Sequence, residues 1–129
     1  AYNRTSALSR NAMELPSRLE GNVRVLSPRG RIDHAHADDF HAALVAHLEG
    51  CRAGGEPVVL DFSGVEYISS VGLRVLMLAS RQVAAQDGCI AMAALTPLVR
   101  EVFEISRFNL VFRTFDSVAA AVAALAPSA

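Results

Sequence analysis

Two adjacent serines, Ser69 and Ser70, followed by Val71-Gly72-Leu73, are the residues of this chain best placed to do chemistry. They come after a short apolar run, Pro57-Val58-Val59-Leu60-Asp61-Phe62, the turn pair Ser63-Gly64, and an alternating stretch from Val65 to Ile68. From Val71 the apolar positions recur at helical spacing through Leu73, Leu76 and Met77 towards Gly88. The spacing thus delivers two hydroxyls to a helix N-terminus, where the first N–H groups lack intrahelical acceptors and the peptide dipoles place partial positive charge. A serine there either caps the helix or carries an anion such as a phosphate, and the spacing leaves both readings open. Phosphoserine brings about −1.5 to −2 charges and three acceptor oxygens, so a fold can accept it while the surface met by a partner changes. Gly72 is expected to leave this first turn open to approach, having no side chain.

Other chemistries fit less well. Ser70-Val71-Gly72 matches the second half of a G-x-S-x-G nucleophile elbow, but Ile68 stands at the first glycine position. His34, His36, His41 and His47 all precede the serine, against the Ser, acid, His order of that fold. On a helix, His34, Asp38 and His41 would share one face and could approach a divalent ion. Acids and imidazoles at a solvated helix start also pair with one another and suit the dipole, so no metal is assigned. All 12 basic residues are arginine, and without lysine there is no Walker-A loop, no Schiff base and no kinase-type catalytic lysine. No G-x-G-x-x-G follows an expected strand. The chain is read as a non-enzyme, with no catalytic residue and no cofactor.

The elements that must hold the two serines follow from pattern. A chain of 129 residues has room for one core, and 52% hydrophobic against 19% charged residues suits a packed globule. A formal net charge of −1 provides no electrostatic footprint for nucleic acid. No apolar run is long enough for a membrane span, and Arg4 and Arg10 lack a following apolar segment of the secretory kind, so a cytoplasmic location without membrane insertion is expected. Cys51 and Cys89, distant in sequence and without a C-x-x-C partner, are expected to be reduced thiols.

Residues 1–18 read as a flexible extension, with room for a short strand near its end, and 19–129 as the domain. Val23 to Leu26 and Arg29 to Asp33 read as an early strand pair or one bent strand; Asp33 then precedes a helix that stops at Gly50. Pro57 to Phe62 suits a strand buried on both faces, and Cys89 to Ala93 is the next strand. Pro97 opens a third helix to about Ser106, Leu110 to Arg113 reads as a last strand, and Asp116 as the cap of an alanine-rich helix. Phe103, Phe108, Phe112 and Phe115 are spaced as core residues. Strands alternating with helices predict an α/β fold with a largely parallel sheet and an antiparallel edge from the first strands.

The run Asp61 to Leu76 resembles the STAS domain motif D-x-S-x-V-x-x-[IM]-D-S-[ST]-G-L-x-x-L at Asp61, Ser63, Val65, Ile68, Ser70, Gly72, Leu73 and Leu76. Gly30-Arg31-Ile32-Asp33 is similar to the family's G-x-[LI]-D approach to its first helix, and Val99 to Phe112 to its C-terminal V-x-x-x-[LF]-x-x-x-[GR]-[LF] segment. The resemblance spans about residues 20–126, and its three segments agree in order and spacing.

The resemblance implies one α/β domain, a mixed sheet with helices packed on one side, and the role of a bacterial anti-sigma factor antagonist. In that role the unphosphorylated domain binds an anti-sigma factor with serine kinase activity, phosphorylation of the motif serine blocks binding, and a PP2C-type phosphatase restores it. By alignment the serine is Ser70. Ser69 replaces the usual acid and becomes a second candidate acceptor, while Val71 replaces the usual Ser or Thr. Asp33, Ser63, Ser69, Ser70, Val71, Gly72 and Arg74 form the expected partner-binding set. A second role, also implied, is an accessory STAS subunit that docks on a transporter or lipid-transport ATPase without phosphorylation.

Overall fold

Short alternating segments separated by amphipathic ones build a layered α/β domain in the computed structural model, which describes residues 15–126. In chain order the elements are β1 (Ser17–Glu20), β2 (Val23–Leu26), β3 (Gly30–Ile32), α1 (Ala37–Leu48), β4 (Val58–Asp61), β5 (Val65–Ile68) and α2 (Ser70–Ala85). They continue with β6 (Ile90–Ala93), α3 (Pro97–Ser106), a 3-10 turn (Phe108–Leu110), β7 (Arg113–Phe115) and α4 (Val118–Leu125). The main sheet has the order β1-β2-β4-β6-β7, antiparallel only between β1 and β2. A second, two-stranded parallel ladder joins β3 to β5 and pairs Ile32 with Ile68. The expected α/β class and antiparallel edge are therefore present. β1 starts at Ser17, so the last two residues of the anticipated extension are strand; residues 1–14 lie outside the described part.

Side-chain alternation divides the core into two layers. Leu26, Val58, Leu60 and Met92 join Phe40, Leu44, Leu76, Val99 and Phe103 in a layer under α1, α2 and α3. Val23, Val25, Val59 and Ala93 face the other way and pack against Ala121, Val118 and Val122 of α4. Helix placement thus departs from the one-sided expectation: three helices share one face and α4 covers the opposite one. The reason lies in Val58-Val59-Leu60, an uninterrupted apolar run that exposes hydrocarbon on both faces unless both are covered. Phe62, Phe103 and Phe108 stack edge-on or tilted, with ring centroids 6.4 and 5.7 Å apart along the series.

Three local boundaries differ from the pattern reading. Leu110 to Phe112 is not strand: Phe108 and Phe112 both plug the core from one tight turn, closed by the Phe112 N–H on the Phe108 carbonyl at 3.0 Å. The last strand is Arg113–Phe115. The cap of α4 is Ser117, whose Oγ accepts from the Ala120 N–H at 3.0 Å, whereas exposed Asp116 reaches Arg100 at 3.5 Å. Helix α1 begins only at Ala37, after a turn at residues 34–36.

The two cysteines are free thiols in different settings. Cys51 is fully buried, its Sγ donates to the Cys89 carbonyl at 3.2 Å, and desolvation pushes its thiol up from the ordinary value. Cys89 is exposed. Because the thiolate is the reacting form, iodoacetamide should alkylate Cys89 at least about tenfold faster than Cys51, read by peptide mass spectrometry of the native protein. Equal rates would contradict the burial. No helix among the described residues is long and apolar enough to cross a membrane.

Candidate functional site

The ladder of β3 and β5 carries the site. β5 ends at Ile68, Ser69 leaves it in extended conformation, and α2 starts at Ser70. The Ser69 N–H donates to the Ile32 carbonyl at 2.9 Å, which ties the start of α2 to β3. The two serines then divide the work that the spacing left open. Ser69 is the N-cap: its Oγ accepts from the Gly72 N–H at 3.2 Å and its carbonyl from the Leu73 N–H at 2.9 Å. Ser70 is the first helical residue and is exposed. Loss of the cap in Ser69→Ala should cost about 1 kcal/mol of stability in chemical denaturation. A value near zero would show that this hydroxyl does not cap.

Gly72 serves a purpose other than the expected open access. It is buried, and a Cβ on it would lie 2.8 Å from Ile32 Cγ2, 2.8 Å from Ile68 Cγ1 and 2.9 Å from the Ile32 carbonyl oxygen. Its missing side chain lets the first turn of α2 rest directly on the β3–β5 ladder. Val71 is half-buried against the core and Arg74, one turn beyond Ser70, is exposed. Helix α2 spans 16 residues and has no acid in its first turn, so the positive end of its dipole is not offset from within the helix.

Asp33 follows Ile32 directly and so lies alongside Ser69 in the β3–β5 register. It does not touch the helix start: its Oδ1 meets His36 Nδ1 at 2.7 Å and its Oδ2 is 3.7 Å from Arg31 Nε. The hydrogen bond with His36 holds the Asp33 carboxyl below its usual value. Such a depressed carboxyl favours the fold above its unfolded pKa, and that contribution fades as the pH falls through the folded value. Arg31 also stacks over Tyr67 of β5, with its guanidinium carbon 4.4 Å from the ring centroid. Arg31 and Tyr67 are not among the site residues expected from the sequence, because the pairing of β3 with β5 that brings them together joins segments over 30 residues apart; His36 joins through its local contact with Asp33.

Ser63 stands apart from the other candidates. It sits in the β4–β5 turn, where its N–H donates to Asp61 Oδ1 at 3.0 Å. The four residues of β5 separate it from Ser69 by roughly 13 Å at about 3.3 Å per residue. Ser69, Ser70, Val71, Gly72 and Arg74 therefore form one cluster with Asp33 at its edge, and Ser63 marks the far end of the same strand. The helical face imagined for His34, Asp38 and His41 does not form, since His34 lies in the turn before α1. Among the described residues no three His, Cys, Asp or Glu side chains come close enough to hold a metal ion.

Comparison with known proteins identifies the family. Residues 17–113 match the family model described as "Mlab, STAS domain". The chain is 41% identical over 96 residues to the putative anti-sigma factor antagonist BtrV of Bordetella bronchiseptica, an alignment that covers 74% of this chain and 80% of that protein. An anti-sigma factor antagonist from Mycobacterium paratuberculosis superposes with a TM-score of 0.77 at 23% identity, over 89% of this chain and 95% of that one. The Bacillus cell fate determinant SpoIIAA in its phosphorylated form superposes with a TM-score of 0.63 at 17% identity, over 89% of this chain and all 100% of its own. The chain belongs to the STAS domain family, the family of the anti-sigma factor antagonists it resembles.

Proposed function

We propose that this domain is an anti-sigma factor antagonist that works as a phosphorylation-controlled partner switch in the bacterial cytoplasm. In the unphosphorylated state the surface around Asp33, Ser69, Ser70, Val71, Gly72 and Arg74 binds an anti-sigma factor with serine kinase activity, and so releases the sigma factor. Transfer of a phosphoryl group to Ser70 Oγ ends the interaction, and a PP2C-type phosphatase hydrolyses the ester to restore it. Ser63, at the other end of β5, is a second point of contact for the same partner. The domain itself performs no catalysis and needs no cofactor.

One observation carries the reading: Ser70 is exposed at the start of a long helix while its neighbour Ser69 already fills the cap. The Ser70 hydroxyl is free to be modified, and the dipole at that end favours the negative product. Ser69 is the poorer acceptor, since its Oγ is already engaged by the Gly72 N–H and the residue is half-buried, whereas Ser70 is exposed. The kinship with the putative antagonist BtrV supports the antagonist role.

The test is intact mass of the protein purified from its native cell, before and after phosphatase treatment. A removable increment of about 80 Da that maps to Ser70 is expected. An increment at Ser69 alone would reassign the acceptor. The absence of either species under every growth condition would overturn the switch in favour of an accessory STAS subunit docked on a transporter or lipid-transport ATPase.

A further inference from the structure

Arg74 is the nearest exposed cation downstream of Ser70 on α2, and it takes part in none of the ion pairs among the described residues. Arg18, Arg24, Arg31 and Arg100, by contrast, each meet a carboxylate. Asp33, which follows the Ile32 whose carbonyl holds the Ser69 N–H, is committed to His36 at 2.7 Å. Ser70 and Arg74 are four residues apart on one helix, so their Cβ atoms face the same way at about 5–6 Å. An anion that precedes a cation at this spacing is also the favourable orientation relative to the dipole.

From this geometry we infer that Arg74 is the internal counter-ion of a phosphate on Ser70, so that phosphorylation adds an anion to the surface and at the same time withdraws a cation from it. The guanidinium fork can meet two phosphate oxygens at once, which an ammonium cannot. The partner then faces two changes from one modification: a new negative group at Ser70 and an Arg74 no longer free to pair across the interface. The inference rests on the Ser70 switch for its use in the cell, but its physics can be tested separately.

The full chain is prepared with phosphoserine encoded at position 70, and its phosphorus NMR shift is followed against pH. The second phosphate ionisation is expected about half a pH unit lower in wild type than in Arg74→Gln, the effect of one positive charge about 5 Å away in a solvated setting. Arg74→Lys should retain most of that difference. Arg81→Gln should retain all of it, since Arg81 lies eleven residues from Ser70, about 16 Å along the axis and beyond a Debye length of about 8 Å. Without phosphate, wild type and Arg74→Gln should melt together; with phosphate, Arg74→Gln should melt lower. If the titration is unchanged by Arg74→Gln, or is moved equally by Arg81→Gln, the counter-ion role is overturned. Because the phosphate is installed without a kinase, a native protein that carries none would overturn the switch and leave this result standing.

Discussion

Gly72→Ala is expected to lower the unfolding free energy by about 1–3 kcal/mol, even though alanine is the better helix former. Intrinsic propensity favours alanine over glycine inside a helix by about 0.8–1.0 kcal/mol, so on an exposed turn the substitution would stabilise. Here the added methyl meets Ile32 Cγ2 and Ile68 Cγ1 at 2.8 Å and the Ile32 carbonyl oxygen at 2.9 Å. Isoleucine side chains can shift by changing rotamer, but this carbonyl cannot yield without disturbing its 2.9 Å bond from the Ser69 N–H. The first turn of α2 must then lift from the β3–β5 ladder, which carries Ser69 and Ser70 with it. Stability and partner capture should therefore fall together. Denaturant titration measures the first and retention of the anti-sigma factor on immobilised protein the second. An unchanged or raised midpoint would mean that the turn does not rest on the ladder as described.

Ser70→Asp separates the two properties that Gly72→Ala couples. The carboxylate adds one negative charge at the positive end of the α2 dipole, an interaction typically worth about 0.3–1 kcal/mol in favour of the fold. Stability should stay within about 1 kcal/mol of wild type, since the cap belongs to Ser69 and is untouched. Affinity for the anti-sigma factor should fall at least tenfold, about 1.4 kcal/mol, because a surface matched to a neutral hydroxyl must now desolvate a charge. Ser70→Ala should keep binding and lose regulation. Parallel calorimetric titrations of the three proteins read the affinities, and melting curves check the fold. A Ser70→Asp protein that binds as wild type does would remove Ser70 from the interface; one that unfolds would show that the helix start is not an anion-tolerant position.

The contrast between these two residues shows how far pattern reading extends. Ser69 and Ser70 could be placed at a helix start from their neighbours alone, since apolar period, capping residues and turn pairs act over a few positions. Which of them caps was not decided by spacing, as serine suits both places; the extended backbone at Ser69 and its bond to Ile32 decide it. Gly72 was legible as a special position but not for its reason, because two of the three atoms that forbid a side chain belong to Ile32, forty residues earlier. Ser63 carried a motif match equal to that of Ser70, yet the length of β5 keeps the two apart.

Local pattern is enough for the α/β class, the order of the elements, the two-faced burial demanded by Val58-Val59-Leu60, and the arrival of two hydroxyls at the start of α2. All of these are written in local periodicity, where each residue is constrained by neighbours within a turn or a strand. Long-range packing settles the rest: α4 covers the second face, β3 pairs with β5 to bring Arg31 over Tyr67, and Gly72 is a contact and not an opening. Those outcomes depend on register and close packing between segments tens of residues apart, and burial of apolar surface selects among such pairings only once the whole chain has folded.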